Sequence, residues 1–279
     1  MPSPQPLLFD SHMHTPLCKH AEGHPIEYME QGLAMGLAGV IFTCHSPMPD
    51  GFSSRVRMTP EQFDDYVALV QSAADAAPEG FTVRLGMESD FFPGMEAWLT
   101  ELHERAEFHY ILGSVHWHIG EYLDQFWKGD DDAFIAQYFE HLAESAETGL
   151  FDSLAHPDLI KNANPTTWNF AKVQPILARS LDRIAATGVA MEINTSGLQK
   201  NFSEFNPGPE MLAMMAERGI PLVLGSDSHT PKRVADNFIL ALELAEAAGY
   251  KAVSIFERRQ RLEIPIEAAR GSLFESVCR

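Results

Sequence analysis

An α/β barrel of seven strand–helix units is the fold this sequence predicts, on three observations. Short apolar runs alternate with longer segments of helical periodicity seven times along the chain. Gly149, Gly188, Gly219 and Gly249 each stand just past one of the helical segments, where a left-handed residue ends a helix. Six of the seven apolar runs finish in a histidine or a carboxylate. Parallel strands with right-handed helical crossovers account for the first two. Closing such a sheet puts every C-terminal strand end at one mouth, which accounts for the third.

Taken in order, residues 7–11 read as the first strand and 26–37 as a helix ending near Gly36 and Gly39. Residues 39–44 form a short apolar run suited to a buried strand. A loop with Pro47, Pro49 and Gly51 follows. Thr59 caps the next helix, with Pro60 in its first turn, and the helix runs to about residue 77. Strand 81–87, helix 96–106, strand 110–115 and helix 131–148 come next. Then come strand 151–155, helix 170–186, strand 189–193, helix 209–218, strand 221–224 and helix 235–248. From Lys251 a strand-like run leads into Arg258-Arg259-Gln260-Arg261, a stretch the pattern does not place. No repeat, low-complexity stretch or linker divides the chain, so residues 1–279 read as a single domain.

Composition narrows the function classes. Of 279 residues, 45% are hydrophobic and 21% charged, as in an ordinary soluble protein. Thirty-nine acidic against 20 basic residues give a net charge of −19, which argues against a nucleic-acid polymer and an anionic membrane surface as partners. A small anionic substrate stays open, because bound cations invert the local field. Cys18, Cys44 and Cys278 are too few for a disulfide framework, and residues 1–6 lack the marks of a signal peptide. A reducing, cytoplasmic compartment is expected. No apolar run is long enough for a membrane span.

The predicted strand ends carry the chemistry. His12 and His14 close the first strand, spaced so that both imidazoles face one side. His20 lies in the loop just beyond. His45 ends the second strand, Glu88 the third, His116 the fourth and His156 the fifth, while Asp227 and His229 end the seventh. Seven of the chain's 12 histidines fall at this rim, and with the two carboxylates they make nine metal-ligand candidates. His24, His103, His109 and His141 read as surface or local hydrogen-bonding residues. His118, two residues past His116, is a further candidate for the mouth. Cys44 should face away from His45 and reads as a small packed thiol.

Nine ligands exceed what one ion takes, so two to three divalent ions are expected, with Glu88 and Asp227 the carboxylates placed to bridge. A histidine-rich set suits Zn, Mn or Fe. Such clusters generate a nucleophile from water near neutral pH and neutralise a phosphoryl group, so phosphate-monoester hydrolysis is the expected reaction.

This set resembles the PHP (polymerase and histidinol phosphatase) superfamily, closest to its monofunctional histidinol-phosphate phosphatases. The resemblance rests on Cys18-Lys19-His20-Ala21-Glu22-Gly23, Thr43-Cys44-His45-Ser46-Pro47-Met48-Pro49, Arg57-Met58 and Gly86-Met87-Glu88-Ser89-Asp90-Phe91. It continues through Gly113-Ser114-Val115-His116, Glu192-Ile193-Asn194-Thr195-Ser196-Gly197-Leu198 and Ser226-Asp227-Ser228-His229. It implies a distorted (β/α)7 barrel of the PHP type with three ions. One would take His12, His14, Glu88 and Asp227, a second Glu88, His116 and His156, and a third His20, His45 and His229. Glu88 would bridge the first two, with the attacking hydroxide between them. The implied reaction is hydrolysis of L-histidinol phosphate in histidine biosynthesis.

The sequence departs from that pattern at Gln199, where relatives carry arginine, at Gly208, where serine is common, and at Cys44, where an acidic residue is usual. Lys161, Arg57, Arg233 and Lys200 are candidate phosphate and substrate contacts. Asp158 is a candidate to bind the substrate's ammonium or to protonate the leaving alkoxide. Two other readings stand beside histidinol phosphatase. One is a PHP-family phosphoesterase acting on a nucleotide or other small phosphomonoester. The other is a non-catalytic metal-binding scaffold.

Overall fold

The computed structural model describes residues 7–273; the expectations for residues 1–6 and for Cys278 fall outside that range. Nine strands form one sheet in chain order. They are β1 (Phe9–Asp10), β2 (Gly39–Phe42), β3 (Thr82–Asp90), β4 (Tyr110–Ser114), β5 (Ser153–Leu154), β6 (Ala190–Asn194), β7 (Leu222–Gly225), β8 (Ala252–Glu257) and β9 (Gln260–Pro265). Strands β1 to β8 pair in parallel, and β9 runs antiparallel to β8. Seven of them close the distorted barrel. The outer edge of β7 is shared: Val223 pairs with Ser254 of β8, while Leu224 O accepts from Ser11 N at 3.3 Å and Ser228 bridges Met13 beyond β1.

Helices α1 (Pro25–Ala34), α2 (Phe63–Ala76), α3 (Glu96–His103), α4 (Gly120–Phe126), α5 (Asp131–Glu147), α6 (Phe170–Thr187), α7 (Pro209–Glu217), α8 (Phe238–Ala247) and α9 (Ile266–Ser272) lie outside the strands. Their caps follow the sequence. The His24 ring accepts from Ile26 N at 3.3 Å while Glu27 Oε1 accepts from His24 N at 2.6 Å, a capping box that explains this histidine. Asp130 caps α5 and Asn169 caps α6, which ends at Gly188 with φ 75°. The segment before α2 opens as a tight turn at Pro60–Gln62, with Gln62 Oε1 accepting from Thr59 N at 3.0 Å.

Three features depart from the sequence reading. Helix α4 was not expected; it is seven residues long, too short for its periodicity to stand out. Helix α8 begins at Phe238 rather than 235, because Ala235 and Asn237 take positive φ and Ala235 N donates to the buried Asp10 carboxylate at 2.9 Å. The unplaced tail becomes the β8–β9 hairpin and α9. Arg258 (φ 48°) and Arg259 (φ 64°) form its two-residue turn. The hairpin crosses the N-terminal end of the barrel. Phe256 O accepts from Arg84 of β3 at 2.6 Å, and Arg259 binds Asp152 and Leu150 O just before β5, at 2.5 and 2.9 Å. The tail is the barrel's floor. The apolar core fills the space between floor and mouth, and no helix among the described residues is long and apolar enough to cross a membrane.

Candidate metal centre

All nine candidate donors converge at the mouth. His12 Nε2, His14 Nε2, Asp227 Oδ1 and Glu88 Oε2 form one group. His14 Nε2 lies 3.2 Å from both His12 Nε2 and Asp227 Oδ1; Glu88 Oε2 lies 3.5 Å from His12 Nε2 and 3.7 Å from His14 Nε2, and His12 Nε2 is 3.7 Å from Asp227 Oδ1. Metal–nitrogen bonds of about 2.0–2.1 Å in a tetrahedral shell put donors roughly 3.3 Å apart, so the group has the right size for one ion. Glu88 Oε1 faces elsewhere, 3.1 Å from His156 Nε2 and 3.4 Å from His116 Nε2. A third group gathers His20 and His229, whose Nε2 atoms are 2.9 Å apart, with the His45 ring 5.4 Å from that of His20. His45 Nδ1 also sits 2.7 Å from Glu88 Oε2, out of line for a hydrogen bond, and both atoms are buried and unpartnered.

Imidazole nitrogens this close repel when both present lone pairs, and a cation between them removes the conflict. The hydrogen bonds behind the rings say which atom is free. His12 Nδ1 donates to Glu192 Oε1 (2.7 Å), His116 Nδ1 to Asp90 Oδ1 (2.8 Å), His20 Nδ1 to Cys18 O (2.7 Å) and His229 Nδ1 to Asp227 O (3.1 Å). Each such bond puts the proton on Nδ1 and leaves the Nε2 lone pair pointing into the mouth. Glu192 does double duty, since its Oε2 accepts from His156 N at 2.8 Å. Gly225 makes room for it: a Cβ there would lie 1.9 Å from Glu192 Oε1 and 2.6 Å from His12 Cβ. His156 (φ 27°) and Asp227 (φ 51°) are held with positive φ, a strain of about 1–3 kcal/mol each that clusters at functional positions.

Charge in the mouth is unbalanced. Burial pushes the Glu88 carboxyl up, yet the charges of His45, His12 and His116 hold it well below the usual carboxylate range. Burial likewise opposes Asp227, which Lys200 and His12 bring down. Burial also works against His14, but Asp227, Cys44 and Glu88 raise it to about 9. His45 is pushed down to about 4, by burial first and by the neighbouring His14 and His116 as well. Ion binding requires the neutral ring, so protons compete with a metal here.

The other candidates fare differently. Lys200 reaches the mouth, its Nζ 3.4 Å from Asp227 Oδ2. Arg57 lines the wall, but its guanidinium is held by Asp90 and by Ser46 O (2.9 Å), so it steadies the Asp90–His116 pair instead of lying open. Asp158 and Lys161 turn away from the mouth. Asp158 accepts from Asn206 Nδ2 (2.6 Å), Gly208 N and Lys161 Nζ (both 2.9 Å), and Lys161 also donates to Glu204 and Phe205 O. Both are saturated in a buried knot that anchors the 204–208 loop, which corrects their reading as substrate contacts or acid. Arg233 sits in a turn beside Asp236 (3.8 Å) and lines neither mouth cavity. Cys44 is a packed thiol, its Sγ accepting from Thr15 Oγ1 at 3.2 Å.

Sequence reasoning assigned no role to Glu192 or Asp90. The signal was present for Glu192: it and Asn194 alternate into the barrel on β6, the one strand without a ligand.

Above the donors the mouth opens into two adjoining cavities of about 460 Å³ each. Both touch His20, His45, His116 and His118. One continues past His156, Asp227, His229 and Lys200; the other runs under the 51–57 loop to α4.

Comparison with known proteins agrees with this geometry. Residues 10–196 match the PHP domain. A probable histidinol-phosphatase of Deinococcus radiodurans is 37% identical over 91% of this chain and 98% of its own length. The histidinol-phosphatase of Bacillus subtilis is 23% identical over 79% of this chain and 92% of its own. Among solved structures, the histidinol phosphate phosphatase of Lactococcus lactis, complexed with zinc, L-histidinol and phosphate, superposes with a TM-score of 0.76. That match has 20% identity and covers 91% of this chain and 98% of the other. With the family matched over most of its length and a relative this similar, the chain belongs to the PHP domain family.

Proposed function

We propose that this protein is a metal-dependent phosphomonoesterase that hydrolyses L-histidinol phosphate to L-histidinol and phosphate. One observation carries the chemistry. Glu88 is buried in the mouth with Oε2 against His12, His14 and His45 and Oε1 against His116 and His156. A carboxylate so placed joins two donor groups. The similarity to the Deinococcus radiodurans relative supports the substrate.

The residues divide the work. His12, His14, Glu88 and Asp227 would hold one ion, Glu88, His116 and His156 a second, and His20, His45 and His229 a third, with Zn, Mn and Fe all suited to the set. Bound there, divalent ions supply an ionised water and neutralise phosphoryl charge. Glu192 and Asp90 keep the His12 and His116 rings in the ligating tautomer. Lys200, at the edge of the His156 cavity, donates to a phosphate oxygen and relinquishes its contact with Asp227. The net charge of −19 supports a small substrate over a nucleic-acid polymer. The unpaired thiols of Cys18 and Cys44 suit the cytoplasm.

The test is phosphate release from a panel of phosphomonoesters with metal-reconstituted protein. L-histidinol phosphate should give the highest kcat/KM. A nucleotide or sugar phosphate turned over roughly ten-fold better, a difference of about 1.4 kcal/mol, would replace this substrate with another of the same chemical class.

A further inference from the structure

The cavity that runs from the metal donors to α4 is lined by imidazoles that would hold cations and by two carboxylates. At one end stand His20, His45 and His116; at the other, Glu121 and Asp124 of α4 line the wall. Their i, i+3 spacing places both carboxylates on one helix face. Glu121 is fixed: its Oε1 accepts from Ser53 N at 2.7 Å, across from the 51–57 loop, which leaves Oε2 free. Asp124 is exposed, and only its backbone oxygen is engaged, by Lys128. Among the described residues neither carboxylate is paired with an arginine or lysine side chain. A second observation marks the same cavity as a ligand site. Buried Arg57, 2% exposed, lines it with Nε unpartnered, although its two terminal nitrogens are held by Ser46 O and Asp90. Arg55 stands exposed at the outer rim.

A substrate matching this field has an anionic phosphate at one end and a cation at the other. The donor end, once loaded with divalent ions, repels an ammonium group. Productive binding of an amino-alcohol phosphate therefore needs anions at the far end of the cavity, and α4 supplies the two there.

We propose that Glu121 and Asp124 form the subsite for the cationic amine of the leaving alcohol and so select amino-alcohol phosphates over uncharged ones. The inference rests on the phosphatase reading and adds the residues that set its specificity. Neither residue is among the nine metal-donor candidates, so their effect should fall on binding and selection.

The experiment compares the metal-reconstituted wild-type protein with the Glu121→Gln/Asp124→Asn double variant. The substrates are L-histidinol phosphate and its analogue lacking the α-amine. Wild type should prefer the amine-bearing ester by roughly ten-fold or more in kcat/KM, the worth of one charge-assisted contact. In the double variant that ratio should collapse to within about three-fold, through a rise in KM for the amine-bearing ester. Glu121→Asp, which keeps the charge, should retain most of the preference. A double variant that keeps the wild-type ratio overturns the subsite while leaving the phosphatase reading intact. A wild-type protein that hydrolyses p-nitrophenyl phosphate but neither imidazole ester overturns L-histidinol phosphate as the substrate, and the subsite with it.

Discussion

The two ends of this barrel both bury charge, and they handle it in opposite ways. On the floor the two buried or half-buried arginines meet groups that the chain itself supplies. Arg259 holds Asp152, Asp152 Oδ2 also accepts from Ile111 N at 2.7 Å, and Arg84 donates to Phe256 O while lying 4.1 Å over the Phe9 ring. At the mouth like faces like: His20 against His229, His12 against His14, and a carboxylate whose Oε2 has no hydrogen bond. Buried polar groups without partners cost about 1–3 kcal/mol each. A fold retains such a cost where something else completes the arrangement. The floor sets its arginines against acceptors and a ring of the chain; the mouth sets donor against donor, an arrangement that ions from outside would complete.

Removing the ions should therefore break the mouth and spare the floor. Treatment with a strong chelator should abolish phosphate release, and adding back the divalent ion should restore it. The melting temperature should also fall, because ligands that bind only the folded state stabilise it by mass action. Circular dichroism of the stripped protein should keep its helical signal. Full turnover in metal-free protein would contradict the contrast.

A smaller effect should come from behind the ligands. Gly225→Ala drives a methyl group into Glu192, and Glu192→Gln weakens the bond that orients His12. Each should cost about 10–100-fold in metal affinity or kcat/KM, as loss of such supporting bonds does elsewhere. Metal titration of both variants checks this.

The floor should respond in stability and not in catalysis. Arg259→Ala removes a partly exposed guanidinium from Asp152 and should cost about 1–2 kcal/mol in urea unfolding, with kcat within about two-fold of wild type. The smallest effect is a pH slope. His103 is buried, its Nε2 2.8 Å from Ser89 Oγ, and burial first, then the charge of Arg259, lowers it from 6.5 to about 4. The unfolded chain then binds the extra proton between these values. Stability from this group is full above about 6.5 and is lost as pH falls toward 4, by at most one proton's slope. His103→Gln should flatten the unfolding free energy between pH 7 and 5 relative to wild type.

The mouth was more legible in the sequence than anything behind it, for a physical reason. A ligand at a strand end is announced locally, by a histidine or carboxylate that breaks an apolar run, as at His45, His116 and His156. Barrel topology then brings those ends together. Residues whose job depends on a distant partner give no such local sign. Glu192 meets His12 across 180 positions, and Asp90 meets His116 across 26. Asp158 and Lys161 misled for the converse reason: they follow His156 closely in sequence, but the chain turns there and buries them against the 204–208 loop. The hairpin floor was unreadable because its turn uses two arginines in a conformation that glycine and asparagine usually announce.

Glu88 is the residue on which the two-ended picture depends, so its removal tests the central claim most directly. The measurement is elemental analysis of gently purified wild-type and Glu88→Ala protein, with kcat determined on the same samples. Wild type should carry about two to three equivalents of Zn, Mn or Fe per chain. Glu88→Ala should lose at least one of them and roughly three orders of magnitude or more in kcat, because two divalent charges about 3.5–4 Å apart repel without the anion between them. A variant that keeps its full metal complement and near-normal turnover would show that Glu88 joins nothing, and the site described here would be wrong.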